Sequence, residues 1–207
     1  MPSRDVKMIK HRYAVMLLIS IWIVSGCSDD RGRSGISALN ENFSLAWTYQ
    51  AEGAINQTPL IMADVVVVAP SGGPLLGLDL DTGRERWRFA PVQGVWERAF
   101  ASDGNQVFVG GKNKSLVALN SANGKIIWQT ELGINMQMPP LVSDGVLYAP
   151  TTFVGPELAP DAYGSAKVFA LDTRSGEELW MFETDNYILQ TPALNDGSLY
   201  VGGSFYD

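Results

Sequence analysis

Tryptophan falls on a ruler in this chain, and that spacing limits the available folds more than any other feature. Four of its six tryptophans stand at 47, 87, 128 and 180, in steps of 40, 41 and 52. Each of the last three follows a glycine by four positions: Gly83 before Trp87, Gly124 before Trp128, Gly176 before Trp180. Gly77-Leu78-Asp79 opens the first copy, Ala118-Leu119-Asn120 the second and Ala170-Leu171-Asp172 the third. A short strand-like run precedes each copy: Val65–Val68, Val107–Gly110 and Val146–Ala149, with Leu199–Gly202 a fourth. Asp103-Gly104, Asp144-Gly145 and Asp196-Gly197 stand just ahead of three of these runs, and Asp-Gly is a strong hairpin signal.

Each period therefore reads as four short strands. The first follows Pro59, Arg98, Pro140 or Pro192, the second is the strand-like run, the third ends in Leu-Asp or Leu-Asn, and the fourth carries the Trp. Four strands per roughly 40 residues is the sequence form of a β-propeller blade, which must stack on neighbours to bury both faces. The indoles are then wedges between sheets, with Trp47, Trp87, Trp128 and Trp180 as blade-packing residues. Gly83, Gly124 and Gly176 supply left-handed turn positions, and Asp79, Asn120 and Asp172 bond the turn backbone. The fold class is all-β, with three full blades and part of a fourth. The 21 glycines and 11 prolines agree with so turn-rich a chain.

The opening residues are different in kind. Arg4, Lys7, Lys10 and Arg12 precede an 11-residue apolar run, Ala14–Val24. As a helix that run rises only about 16 Å, too short for a bilayer core of roughly 30 Å. It has the pattern of a secretion signal. Val24-Ser25-Gly26-Cys27 resembles a bacterial lipobox, which makes Cys27, the only cysteine of the chain, a lipidation site and the membrane a partner through its anchor. Residues 1–26 are then a signal peptide, 27–41 a polar tether and 42–207 the repeat body. Ser28, rather than Asp, follows the cysteine, which resembles outer-membrane sorting in Gram-negative bacteria and predicts a lipid-anchored envelope location facing the periplasm.

Cleavage would remove four basic residues, Asp5 and His11, the only histidine. The 15 basic and 22 acidic residues would fall to 11 and 21, a formal −10. With neither histidine nor a free thiol left, Ser-His-Asp, Cys-His and His-ligated zinc chemistry are excluded. No catalytic residue, cofactor or metal is expected, and the acidic balance argues against nucleic acid. Asp79-x-Asp81-x-Gly83 has a calcium-loop flavour, but the sister copies replace its carboxylates with Asn120 and Ala122 or with Asp172 and Arg174.

Runs such as Leu116–Thr130 and Val168–Thr184 resemble PQQ-like β-propeller repeats, from about Phe43 to Tyr206. A lipobox ahead of such repeats is similar to the lipoprotein subunit of the outer-membrane β-barrel assembly machinery. The resemblance implies a binding scaffold rather than an enzyme. The enzymatic alternative it carries is a PQQ-dependent dehydrogenase, whose members hold the quinone against adjacent cysteines and bind Ca²⁺; this chain has no adjacent cysteines. Rings in the family need more repeats than are present, so the sequence suggests a truncated propeller, with edge-to-edge self-association of two half-rings as the alternative. The strand around Trp47 is a candidate for closing the fourth blade.

A site is expected on the face that gathers the blade-to-blade loops, 50–58, 91–98, 133–140 and 184–190, and the long connection 151–167, because variable loops on a rigid scaffold carry binding. Trp96 and Arg98 in one loop, Tyr163 on the insertion and Tyr187 in the last loop are the candidate protein-partner contacts, being residue types that anchor interfaces. Glu97, Asn135, Met136, Gln137, Glu157, Asp161, Asp185 and Asn186 surround them.

Overall fold

The computed structural model describes residues 4–11, 14–19, 44–152, 166–184, 187–188 and 190–204. No helix occurs among them. Three four-stranded antiparallel meanders follow one another along the chain. The first blade comprises β4 (Leu60–Met62), β5 (Val65–Val68), β6 (Leu75–Asp79) and β7 (Glu85–Phe89). The second comprises β8 (Val95–Ser102), β9 (Gln106–Gly111), β10 (Ser115–Asn120) and β11 (Ile126–Glu131). The third comprises β12 (Leu141–Ser143), β13 (Val146–Pro150), β14 (Ala166–Asp172) and β15 (Glu178–Thr184). This is an incomplete, unclosed β-propeller.

Burial explains the strand types. β5, β9 and β10 are nearly continuous apolar runs because both their faces are covered. The outer strands β7 and β11 bury only their tryptophan fully; Phe89 and Thr130, two residues on, are half-buried, and the remaining positions are exposed. The core lies in the seams between blades. Val65, Val67, Leu75 and Trp87 of the first blade meet Val107, Val109, Val117 and Leu119 of the second. Phe108, Leu116, Ala118 and Trp128 then meet Leu147, Ala149, Phe169 and Leu171 of the third.

Each indole lies on a small residue of its own blade. Trp87 is opposite Gly77, Trp128 opposite Ala118 and Trp180 opposite Ala170, and in every blade the register slips by one residue immediately afterwards. A β-carbon at Gly77 would collide with the Trp87 ring. The repeated bulge sets the twist of the outer hairpin and aims the ring at the neighbouring blade.

Before the first blade, β1 (Arg4–His11), β2 (Ala14–Ile19) and β3 (Ser44–Ala51) form a sheet of order β2-β1-β3. The apolar stretch read as a secretion signal is thus partly a strand here, since β2 pairs with β1 and β1 with β3. Cys27 and the tether lie outside the described residues. Trp47 on β3 packs over Val66, Val68, Leu76 and Leu78 of the first blade. Its strand does not join the fourth unit, a correction to the ring-closing expectation: β1 holds its edge.

The fourth unit is partial. β16 (Tyr187–Ile188) pairs with β19 (Gly203–Ser204), and β17 (Ala193–Asn195) with β18 (Ser198–Tyr200). Leu199 and Val201 rest against the buried cluster of Ala166, Val168 and Ile188, as does Tyr148 of the third blade.

Candidate functional site

The two ends of the blade stack have different chemistry. At one end each blade brings its two turns together. Leu80 N–H donates to Asp64 O in the first, Ser121 N–H to Asn105 O in the second and Thr173 N–H to Gly145 O in the third, at 2.8 to 3.0 Å. Asp79 Oδ1 accepts from the backbone N–H groups of Asp81 and Thr82; Asn120 Oδ1 does the same for Ala122 and Asn123, and Asp172 Oδ1 for Arg174 and Ser175. Gly83, Gly124 and Gly176 have φ of +70°, +68° and +74°. Asp79 also takes Arg86 in an ion pair, and its carboxyl is held well below the usual carboxylate range, first by the Thr82 hydroxyl and then by Arg86. Asp172 is lowered by the Ser175 and Arg174 amides. These carboxylates therefore support turns and are not poised for proton transfer.

At the other end one hydrogen bond recurs. Ser71 N–H donates to Ala54 O, Lys112 N–H to Gly94 O and Thr152 N–H to Asn135 O, pinning each entry loop to the connection after the second strand. This is the face expected to carry a partner site. Trp96 and Arg98 are not in a loop: both lie on β8, where the ladder jumps from Val95↔Gly111 to Phe100↔Val109. Five residues advance on β8 against two on β9, so the segment bulges, which a count of turn residues could not show. Arg98 is exposed, whereas Trp96 is half-buried against the seam between the second and third blades. Lys112 Nζ stands 5.2 Å from the Trp96 ring centroid, a cation–π contact. Glu97 accepts from Ser71 Oγ at 3.4 Å, which links this bulge to the first blade.

Three buried polar atoms near this end have no partner: Trp96 Nε1, Asn135 Oδ1 and Thr152 Oγ1. Sequence reasoning named Trp96 and Asn135 but missed Thr152. Met136, 1% exposed, fills the seam. Tyr187 pairs through its backbone with Ser204. Tyr163, Glu157, Asp161, Asp185 and Asn186 lie outside the described residues. Among the described residues no three of His, Cys, Asp or Glu gather as a metal site, and no helix is long and apolar enough to cross a membrane.

A family model described as "Outer membrane protein assembly factor BamB" matches residues 30–95 and 77–161. The chain belongs to this PQQ-like propeller family. A BamB of Yersinia pestis is 23% identical over 90% of this chain and 51% of its own length. The quinoprotein ethanol dehydrogenase of Pseudomonas aeruginosa is 29% identical over 66% of this chain and 25% of its own. Among solved structures, BamB from Moraxella catarrhalis superposes with a TM-score of 0.60 at 24% identity, covering 78% of this chain and 51% of that one, which shows the fold. The chain thus spans between a quarter and about half of these relatives.

Proposed function

We propose that this member of the family is a non-catalytic scaffold of the cell envelope, tethered through lipid on Cys27, that offers the entry-loop end of its blades to a protein partner in outer-membrane protein assembly. The observation that carries the reading is the bulge of β8, which sets the Trp96–Lys112 pair beside exposed Arg98 on a rigid seam. Aromatic and Arg side chains on a stiff base anchor protein interfaces, and the name of the matching family supplies the setting. Tyr163 and Tyr187 belong to the same proposed surface.

The quinoprotein alternative fits these residues poorly. Asp79 and Asp172 are spent on turn amides at the opposite end, and the sequence has a single cysteine. No catalytic step is derived through that cofactor. A photocrosslinking amino acid at position 98, used in envelope-intact cells, tests the scaffold. A specific adduct with an outer-membrane assembly protein is expected, weakened by Trp96→Ala; adducts with no protein would overturn the partner site. Cys27→Ala should release the protein from the membrane fraction, and unchanged sedimentation with membranes would remove the tether from the reading.

A further inference from the structure

We infer that the seam between the second and third blades holds, at its entry-loop end, a subsite for an uncharged primary amide: the side chain of a glutamine or asparagine on a protein partner. The Trp96 indole singles the place out. The three indoles buried in the blade seams find backbone acceptors: Trp47 Nε1–H donates to Leu80 O at 2.9 Å, Trp87 to Ser121 O at 2.8 Å and Trp128 to Thr173 O at 2.8 Å. Those rings lie on Gly83, Gly124 and Gly176 of the turns that supply the acceptors. Trp96 Nε1 is also buried, yet it has no acceptor among the described residues, Asn135 Oδ1 has no donor and Thr152 Oγ1 has no partner of either kind. Buried polar atoms are almost always bonded, so three orphans at one seam call for a group from outside.

Three elements bring these atoms to one place, and each is held from behind. Trp96 rides the β8 bulge and packs against the cluster that contains Ile134 and Met136 of the next entry loop. Met136 is seated closely on the second blade: a β-carbon at Gly110 would stand 2.6 Å from Met136 O, so only glycine admits the loop there. Thr152 N–H donates to Asn135 O at 3.0 Å, which sets the other two orphans on neighbouring backbones. Thr152 is 5% exposed, whereas Trp96 and Asn135 are half-buried, so the group is enclosed on one side and reachable from the entry end.

The pattern of donors and acceptors selects the occupant. An amide carbonyl accepts from Trp96 Nε1–H and from the Thr152 hydroxyl, while the amide NH₂ donates to Asn135 Oδ1. A carboxylate would set a second acceptor against Asn135 Oδ1. An ammonium would leave Trp96 Nε1–H without an acceptor and would meet the like charge of Lys112, whose Nζ lies 5.2 Å from the Trp96 ring centroid. Water fills these bonds in the free protein, and a group that reproduces them displaces it without loss. Because the three atoms sit on locked backbone, little ordering entropy is lost when the amide enters. That the amide comes from a protein partner rests on the scaffold reading above; the preference for an amide stands on these atoms alone.

Propionamide, propionate and propylammonium, matched in size, are the probes. The full chain is isotope-labelled at its indole nitrogens, and the Trp96 Nε1–H resonance is assigned by its loss in Trp96→Phe. Propionamide should move that resonance downfield and saturably, with half-saturation about tenfold below that of either ion. Thr152→Val should weaken the amide about fivefold, yet melt no lower than the parent, because it removes an unpaired buried hydroxyl; a side chain that only packs would lose stability instead. The subsite is overturned by no movement at Trp96, by an equal or stronger response to propionate, or by unchanged half-saturation in Thr152→Val. Crosslinking from position 98 separates this outcome from the fate of the scaffold reading: an adduct that persists while propionamide fails sinks the subsite alone. Saturable propionamide binding with no adduct supports the subsite and assigns it to a free small amide.

Discussion

Trp128 and Trp180 occupy the same position in successive blades, yet one is 9% exposed and the other 43%. Each lies opposite an alanine, each is followed by the same register slip, and each packs at nearly equal distance on an aromatic ring of its second strand. Their own blades are alike, so the difference comes from the neighbour. Trp128 donates to Thr173 O and lies on Gly176; among the described residues no such turn covers Trp180. The lesson is that the repeat is not self-sufficient: a blade presents its indole, and the next blade makes it part of a core.

Truncating the two rings should separate these roles most sharply. Trp128→Ala is expected to cost about 3–5 kcal/mol, the usual range for a large buried aromatic, and Trp180→Ala about 1–2 kcal/mol, since much of its surface is already wet. Denaturant unfolding of both variants measures this, and equal losses would break the comparison. The receiving side comes next. Gly176→Ala should destabilise by about 3 kcal/mol, combining a left-handed backbone with a displaced Trp128 ring. Gly145→Ala, also left-handed at φ +78° but with no heavy atom nearer than 4.0 Å, should cost about 1–2 kcal/mol. The gap between them isolates the ring contact.

The smallest effect is in acid. Asp79 and Asp172 have carboxyls lowered by their turn partners, so they add stability at neutral pH that fades as pH falls below about 4. Asn120 holds the equivalent turn without a titrating group. Acid should therefore loosen the covers of Trp47 and Trp128 before that of Trp87. Hydrogen exchange between pH 6 and 3 checks the order, and Asp172→Asn should flatten the response at the Trp128 seam.

The seams were legible from the chain because an indole is large enough to force a period on everything around it. Gly77, Ala118 and Ala170 head the three aligned copies in the sequence, but their purpose needs strand register: only the pairing shows that each lies beneath a Trp. The first blade's hairpin has no Asp-Gly, and Ala63 adopts φ +44° there unaided, held by the strands it joins. The candidate face was less legible. Trp96 and Arg98 read as loop residues because charged and aromatic positions without alternation resemble a connection, whereas a bulged strand presents the same pattern. Thr152 has no distinguishing neighbour in sequence; burial alone marks it.

The long connection of the third blade leaves the sheet at a closed clasp. Thr151 N–H and Oγ1–H both donate to Lys167 O, and Lys167 N–H returns a bond to Thr151 Oγ1. With both roots locked in this way, residues 153–165 can differ in length and composition without transmitting strain to the blades. That makes the position a natural port for exchange, where related proteins can diversify and where an engineered epitope or affinity loop can be hung on an unchanged frame.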